Sequence, residues 1–183
     1  MPELAIKGNA KNILDSILAT EKELDQVNAQ AINATATKYQ RLSIKATANA
    51  VKVQQKVIRG RSKFKGRQRA NRRKQKAEVV ALTLDIPAIR LGKPTRKGSG
   101  LNVGTGKARR FIDGGFVAPV DKGGKLVYKR TGKARYPIEH QTIVIDDEMV
   151  SHYRGILNRE TPAIFQQEWR KRMNKVIRRA ARG

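Results

Sequence analysis

Cysteine is absent from the 183 residues, which excludes disulfides and thiolate metal sites and suits a reducing cytoplasm or a particle assembled there. Aromatic side chains are scarce, 5% of residues within a hydrophobic share of 39%, so there is material for one modest core flanked by solvated elements. No stretch approaches the roughly 18 apolar residues of a membrane span. The start, Met1-Pro2-Glu3-Leu4-Ala5-Ile6-Lys7-Gly8, lacks the apolar run of a secretion signal. No membrane partner is expected, and the chain should be cytoplasmic when made. The remaining shortage is of acids, with 15 Asp and Glu against 40 Lys and Arg, a formal net charge of +25.

That excess is unevenly spread. From Gln26 to Ala77 there are fifteen Lys or Arg and no Asp or Glu. In its core, from Lys56 to Lys76, about every second residue is basic. A free monomer with this field repels itself and adsorbs to polyanions, so a partner that neutralises the charge belongs to the working state. The candidate polyanion-facing or partner-facing residues are Lys56, Arg59, Arg61, Lys63, Lys65, Arg67, Arg69, Arg72, Arg73 and Lys74. Phosphate neutralisation needs Lys and Arg but no base-reading motif. Phe64, within the run, is expected to anchor it onto a sheet.

The spacing predicts an amphipathic helix capped by Asn9, with Ala10, Ile13, Leu14, Ile17, Leu18, Leu24 and Val27 recurring every three or four residues. A second helical pattern follows through Ile32, Ala36, Tyr39, Leu42, Ala46, Val53 and Val57, interrupted at Gly60 and Gly66. Glu78 to Leu84 then reads as a strand ended by Asp85-Ile86-Pro87. The Gly- and Pro-rich stretch from Gly92 to Ala108 reads as a flexible basic loop. Three more short strands are expected: Phe111 to Val120, Lys125 to Tyr128 beyond a turn at Gly123-Gly124, and Pro137 to Ile145, whose entry is marked by Arg135-Tyr136-Pro137.

Asp146-Asp147-Glu148 is placed to stabilise the amide end of a helix with Met149, Tyr153, Ile156 and Leu157 on its apolar side. A last helix opens at Thr161-Pro162 and carries Phe165, Trp169, Met173, Val176 and Ala180 on one side. Arg170, Lys171, Arg172, Lys175, Arg178, Arg179 and Arg182 fill the rest, suiting the helix dipole or an external anion. The expected fold is α+β, with N-terminal and C-terminal helices packed on a small antiparallel sheet and basic extended loops. It is one domain of four parts: residues 1–58 helical, 59–77 basic, 78–145 sheet with the loop 92–108, and 146–183 helical.

Enzymatic readings find little support. His140 and His152 have no metal-site spacing. Asp146, Asp147 and Glu148 are the sole acid cluster, and a helix start explains them more simply than a metal-dependent nuclease. Gly104-Thr105-Gly106-Lys107 lacks the full phosphate-loop spacing. No nucleophile, base and orienter can be assembled, so no catalytic, cofactor-binding or metal residues are expected.

The strings Ala5-Ile6-Lys7-Gly8, Ala31-Ile32-Asn33, Ile86-Pro87-Ala88-Ile89-Arg90-Leu91-Gly92, Arg135-Tyr136-Pro137-Ile138-Glu139 and Arg172-Met173-Asn174-Lys175-Val176-Ile177-Arg178-Arg179 resemble the prophage minor tail protein Z family of lambda-like phages. They occur in order across nearly the whole chain. The resemblance implies a structural virion protein of the neck or upper tail, without catalytic residues, acting in tail completion and head–tail joining. It also implies a ring of identical subunits that meets tail-terminator, head-closure and tail-tube or tape-measure proteins; independently, the charge run fits a subunit lining or flanking a channel for phage DNA, contacted without sequence specificity. Tyr136 and Trp169 are candidate subunit-interface residues. Composition alone would equally fit a nucleoid-associated or ribosome-associated nucleic-acid-binding module, and the basic run could instead meet acidic protein surfaces.

Overall fold

From Asn9 to Ala50 the sequence holds neither glycine nor proline, and one helix, α1 (Ala10–Ala50), runs through the span where two helical patterns were expected. Nothing between Val27 and Ile32 breaks the backbone ladder, so the two apolar patterns belong to one rod. In the computed structural model the described residues are 10–104, 106, 109–120 and 123–180, with the side chains of residues 10–19, Arg67 and Ala180 outside the description. The cap at Asn9, the apolar positions from Ala10 to Leu18, the side chain of Ala180, and Arg182 therefore lie outside the described residues.

α1 stops at Ala50, short of the predicted break at Gly60. Lys52 adopts φ 56°, its N–H bonds Asn49 C=O at 3.3 Å, and Val53 N–H bonds Ala48 C=O at 2.9 Å. This is a Schellman stop, and buried Val53 and Ala48 provide its apolar contact. A lysine occupies the left-handed position usually held by glycine, so no glycine marked the end. A short helix α2 (Gln55–Arg59) follows and does end at Gly60.

The residues gather into two compact units. The first joins α1 up to Lys38 with Phe64–Glu78 and the last helix; the second joins Tyr39–Lys63 with Val79–Glu160.

All strands among the described residues lie in the second unit. They are β1 (Ser62–Lys63), β2 (Val80–Ala81), β3 (Ile86–Pro87), β4 (Thr95–Lys97), β5 (Gly100–Val103), β6 (Arg110–Asp113), β7 (Gly115–Pro119), β8 (Lys125–Arg130), β9 (Ile138–His140) and β10 (Thr142–Ile143). The α+β class holds, and the pairing is antiparallel throughout. Instead of one sheet the described residues form four small ones: β1–β2, β3–β10, β4–β5–β6 and β7–β8–β9.

Each departure from the expected strands has a local cause. The predicted strand from Glu78 to Leu84 shortens to β2 because the Arg61 guanidinium takes the carbonyls of Leu84 and Asp85. Ile86-Pro87, expected to end that strand, instead pairs with Thr142–Ile143. The basic loop from Gly92 to Ala108 contains the β4–β5 hairpin, turned at Gly98 with φ 53°. Thr105, Lys107 and Ala108 fall outside the described residues. Gly114 with φ 65° divides the predicted strand Phe111 to Val120 into β6 and β7. Gln141 divides Pro137 to Ile145, because its N–H turns to Val127 C=O (2.8 Å) and its C=O accepts from Ala88 N–H (2.9 Å).

The core of this unit includes Ile58, Ile86, Leu91, Val103, Val127, Ile145 and Met149, all essentially inaccessible. Tyr39 and Tyr153 meet edge to face at 5.7 Å, and Tyr39 Oη donates to Tyr153 C=O at 3.1 Å. Burial pushes both phenols above their usual range. α3 (Asp146–Arg159) opens with its three acids in the first turn and buries Met149 and Tyr153 as expected. Leu157, expected on the apolar side, is exposed instead.

In the first unit, α4 (Thr161–Ala180) meets α1 through Trp169, whose Nε1–H donates to Asn28 Oδ1 at 2.7 Å. Glu168, buried at 6% exposure, receives Lys38 Nζ at 2.6 Å and the Arg172 guanidinium. These two cations hold its carboxyl at about 2, the Arg172 hydrogen bond contributing most. No helix among the described residues is long and apolar enough to cross a membrane.

Candidate polyanion interface

The ten basic candidates divide between the units. Lys65, Arg67, Arg69, Arg72, Arg73 and Lys74 belong to the first; Lys56, Arg59, Arg61 and Lys63 belong to the second. The side chain of Arg67 lies outside the described residues.

In the first unit the segment Phe64–Glu78 has almost no regular secondary structure, yet its backbone is pinned. Asn33 on α1 donates from Nδ2 to Ala70 C=O at 2.8 Å and accepts from Ala70 N–H at 2.9 Å. Ala70 is thereby satisfied as if it had a strand neighbour. Phe64 is an anchor as expected, but it is buried in this helical unit rather than on a sheet. The Arg69 guanidinium lies 5.5 Å from its ring centroid.

Beyond Ala70 the chain makes an Asx turn. Asn71 Oδ1 accepts from Arg73 N–H (2.9 Å) and Lys74 N–H (2.8 Å), and Asn71 N–H donates to Lys74 C=O (2.9 Å). Gln75 Nε2 fastens the turn to Arg72 C=O and Asp25 C=O, 3.0 Å each. Arg72 and Arg73 sit in a backbone-fixed turn with exposed side chains. Asparagine and glutamine therefore supply the order while the cations face water. That division of labour was visible in the sequence only as Asn71 and Gln75 flanking a basic triplet.

In the second unit, Lys56 and Arg59 project from α2 and are exposed. Ser62 is buried, with its C=O and Oγ accepting from Gln40 Nε2 at 3.0 and 3.1 Å. Burial alternates from Ser62 to Lys65, so Lys63 and Lys65 are exposed where Ser62 and Phe64 are not. That period of two is legible in the sequence once the charge is ignored. Arg61 has its guanidinium tied to main-chain carbonyls, so it braces the backbone as well as carrying charge.

Few carboxylates oppose this charge. Of the ten candidates, only Lys74 reaches one within 4 Å among the described residues, Glu78 at 3.8 Å. Glu78 also meets Lys76 at 3.2 Å. The Lys76 hydrogen bond and the charges of Lys74 and Lys76 hold the Glu78 carboxyl below its usual range.

Tyr136 is 65% exposed, with the Arg135 guanidinium 5.9 Å from its ring centroid. Trp169 is half-buried and engaged with α1. Asp146, Asp147 and Glu148 sit in the first turn of α3. Among the described residues no group of three or more His, Asp or Glu could hold a metal ion.

Sequence reasoning missed two features. One is the Lys38–Glu168–Arg172 cluster, whose signal was a lone acid four residues before an arginine on a basic helix. The other is Arg90, which lines a cleft with Lys56 and Arg61 and gave no signal because the three are far apart in the chain.

A sequence profile of the family described as prophage minor tail protein Z (GPZ) matches residues 6–182. Among curated proteins, the chain is 25% identical over 174 residues to the tail completion protein of Escherichia phage N15, covering 90% of each chain. No solved structure matches it.

Proposed function

Because the chain belongs to the prophage minor tail protein Z family, we propose that it completes the head-proximal end of a phage tail and makes that tail competent to join a DNA-filled head. The protein is a structural component of the virion tail and associates with other tail proteins. The observation that carries the proposal is the length of the likeness: the family profile spans residues 6–182, and the N15 relative named as a tail completion protein aligns over 90% of both chains.

In this reading the subunits form a ring next to tail-terminator, head-closure and tail-tube or tape-measure proteins, and Tyr136 contributes to the contact between copies. The basic residues face a polyanion. Support comes from the scarcity of internal carboxylates around them and from the Asn71 turn, which fixes the backbone under Arg72 and Arg73. A surface of exposed guanidinium and ammonium groups guides DNA through phosphate contacts without selecting a sequence.

The test is a triple charge reversal, Lys65→Glu, Arg72→Glu and Arg73→Glu, supplied to phage lacking the native protein. All three side chains are exposed, so each contributes little to folding. Circular dichroism should show an unchanged fold, while head joining by electron microscopy and plaque titre fall at least about tenfold. A folded variant that joins heads normally would remove the polyanion role from these residues.

A further inference from the structure

The second unit holds an open cleft of about 680 Å³ lined by Val57, Leu82, Ile86, Pro87 and Ile89, with Lys56, Arg61 and Arg90 among its lining. Among the described residues the lining has no carboxylate. Ile86 is fully buried, whereas Leu82 is 40% exposed despite its aliphatic side chain. Leu82 directly follows β2, which pairs with β1. Leu82 N–H bonds back to Arg61 C=O at 2.8 Å, which holds the cleft's Leu82 and Arg61 walls together.

Resting on the tail-completion reading, the geometry points to this cleft as the docking site for an extended, acidic, aliphatic-anchored segment of a neighbouring tail protein. Duplex DNA presents phosphates and sugars to a groove of this kind and has nothing to place on a floor of Val57, Ile86 and Ile89. A peptide that alternates acidic and aliphatic side chains matches both parts: aliphatic groups cover Leu82 and Ile89, and carboxylates meet Lys56 and Arg90. A second copy of this chain is a poor occupant, because it brings 40 cationic side chains and only 15 acidic ones. The cleft thus assigns Lys56 and Arg90 to a protein partner, leaving the turn at Arg72 and Arg73 for nucleic acid.

The test uses the full chain and a fluorescein-labelled peptide alternating aspartate and leucine, read by fluorescence anisotropy. A peptide with serine in place of leucine and a short duplex DNA serve as comparison probes. Leu82→Asp and Arg90→Glu, both at exposed positions, should each weaken the aspartate–leucine peptide about tenfold, the scale of one lost anchor. Arg72→Glu should leave that affinity within about twofold. The serine peptide should bind at least about tenfold more weakly than the leucine peptide. Equal binding of the two peptides, or indifference to Leu82→Asp, would overturn the proposal and leave only a non-selective cationic surface. DNA that displaces the peptide and is itself weakened by Arg90→Glu but not by Leu82→Asp would assign the cleft to nucleic acid instead. Neither result touches head joining, which is read separately through Arg72 and Arg73.

Discussion

Replacing Glu168 by Gln removes the one negative charge between Lys38 and Arg172 while keeping the side-chain shape. In the folded chain the carboxyl sits at about 2, against an ordinary value of 4.5. At about 1.4 kcal/mol per pKa unit, that difference corresponds to roughly 3 kcal/mol of stabilisation when the group is ionised. The Lys38 side chain is 43% exposed and can turn to water once its partner is neutral, so the expected loss at pH 7 is about 2 kcal/mol. Because the folded pKa is depressed, this contribution is complete above pH 4.5 and fades as pH falls toward 2. The gap between parent and variant should close over that window. Urea titrations at pH 7, 4.5, 3 and 2, at one protein concentration, measure it through the fluorescence of Trp169, which lies beside Glu168 and bonds Asn28. Subtracting the variant's curve cancels the other carboxylates. A variant within about 0.5 kcal/mol of the parent at pH 7, or a difference that persists unchanged at pH 2, would refute the reasoning.

Lys52→Gly should stabilise the chain by about 1 kcal/mol, since φ 56° is strained for lysine and natural for glycine; an unaltered or lowered thermal midpoint would contradict this. Gly100→Ala should destabilise by about 3 kcal/mol, because an added Cβ would lie 2.2 Å from Ile112 O across the β5–β6 pair; urea unfolding checks it, and a neutral result would mean the strands can separate. Asn33→Ala should cost about 1–3 kcal/mol by orphaning the buried N–H and C=O of Ala70; hydrogen exchange at the Ala70 amide should accelerate, and unchanged protection would show that something else holds the segment.

Local chemistry made much of the fold legible. α3 and α4 follow from acids at one start, Thr161-Pro162 at the other, and apolar residues at helical spacing. β8 and its Gly123 turn were visible for the same reason: both signals lie within a few residues of one another. The misread elements were those settled by distant groups. The stop of α1 depends on Val53 burying itself against Ala48, with a lysine bearing the left-handed turn. The strand after Glu78 is short because Arg61, two dozen residues earlier in the chain, captures its carbonyls. The part of the loop from Thr95 to Val103 forms a hairpin because β6 arrives to pair with β5.

The charge field, the absence of thiol chemistry and the likeness to tail proteins are properties of composition and residue order, and the chain alone determined them. Which cations are free to meet a partner is another matter. Arg61 and Lys74 look identical to Arg72 in a list of basic residues, yet one braces a carbonyl pair, one faces Glu78, and one stands exposed on a turn tied by Asn71. A hydrogen bond or ion pair forms only between groups that folding brings within about 3–4 Å. Sequence separation carries no information about that distance, so only the tertiary structure could sort these cations.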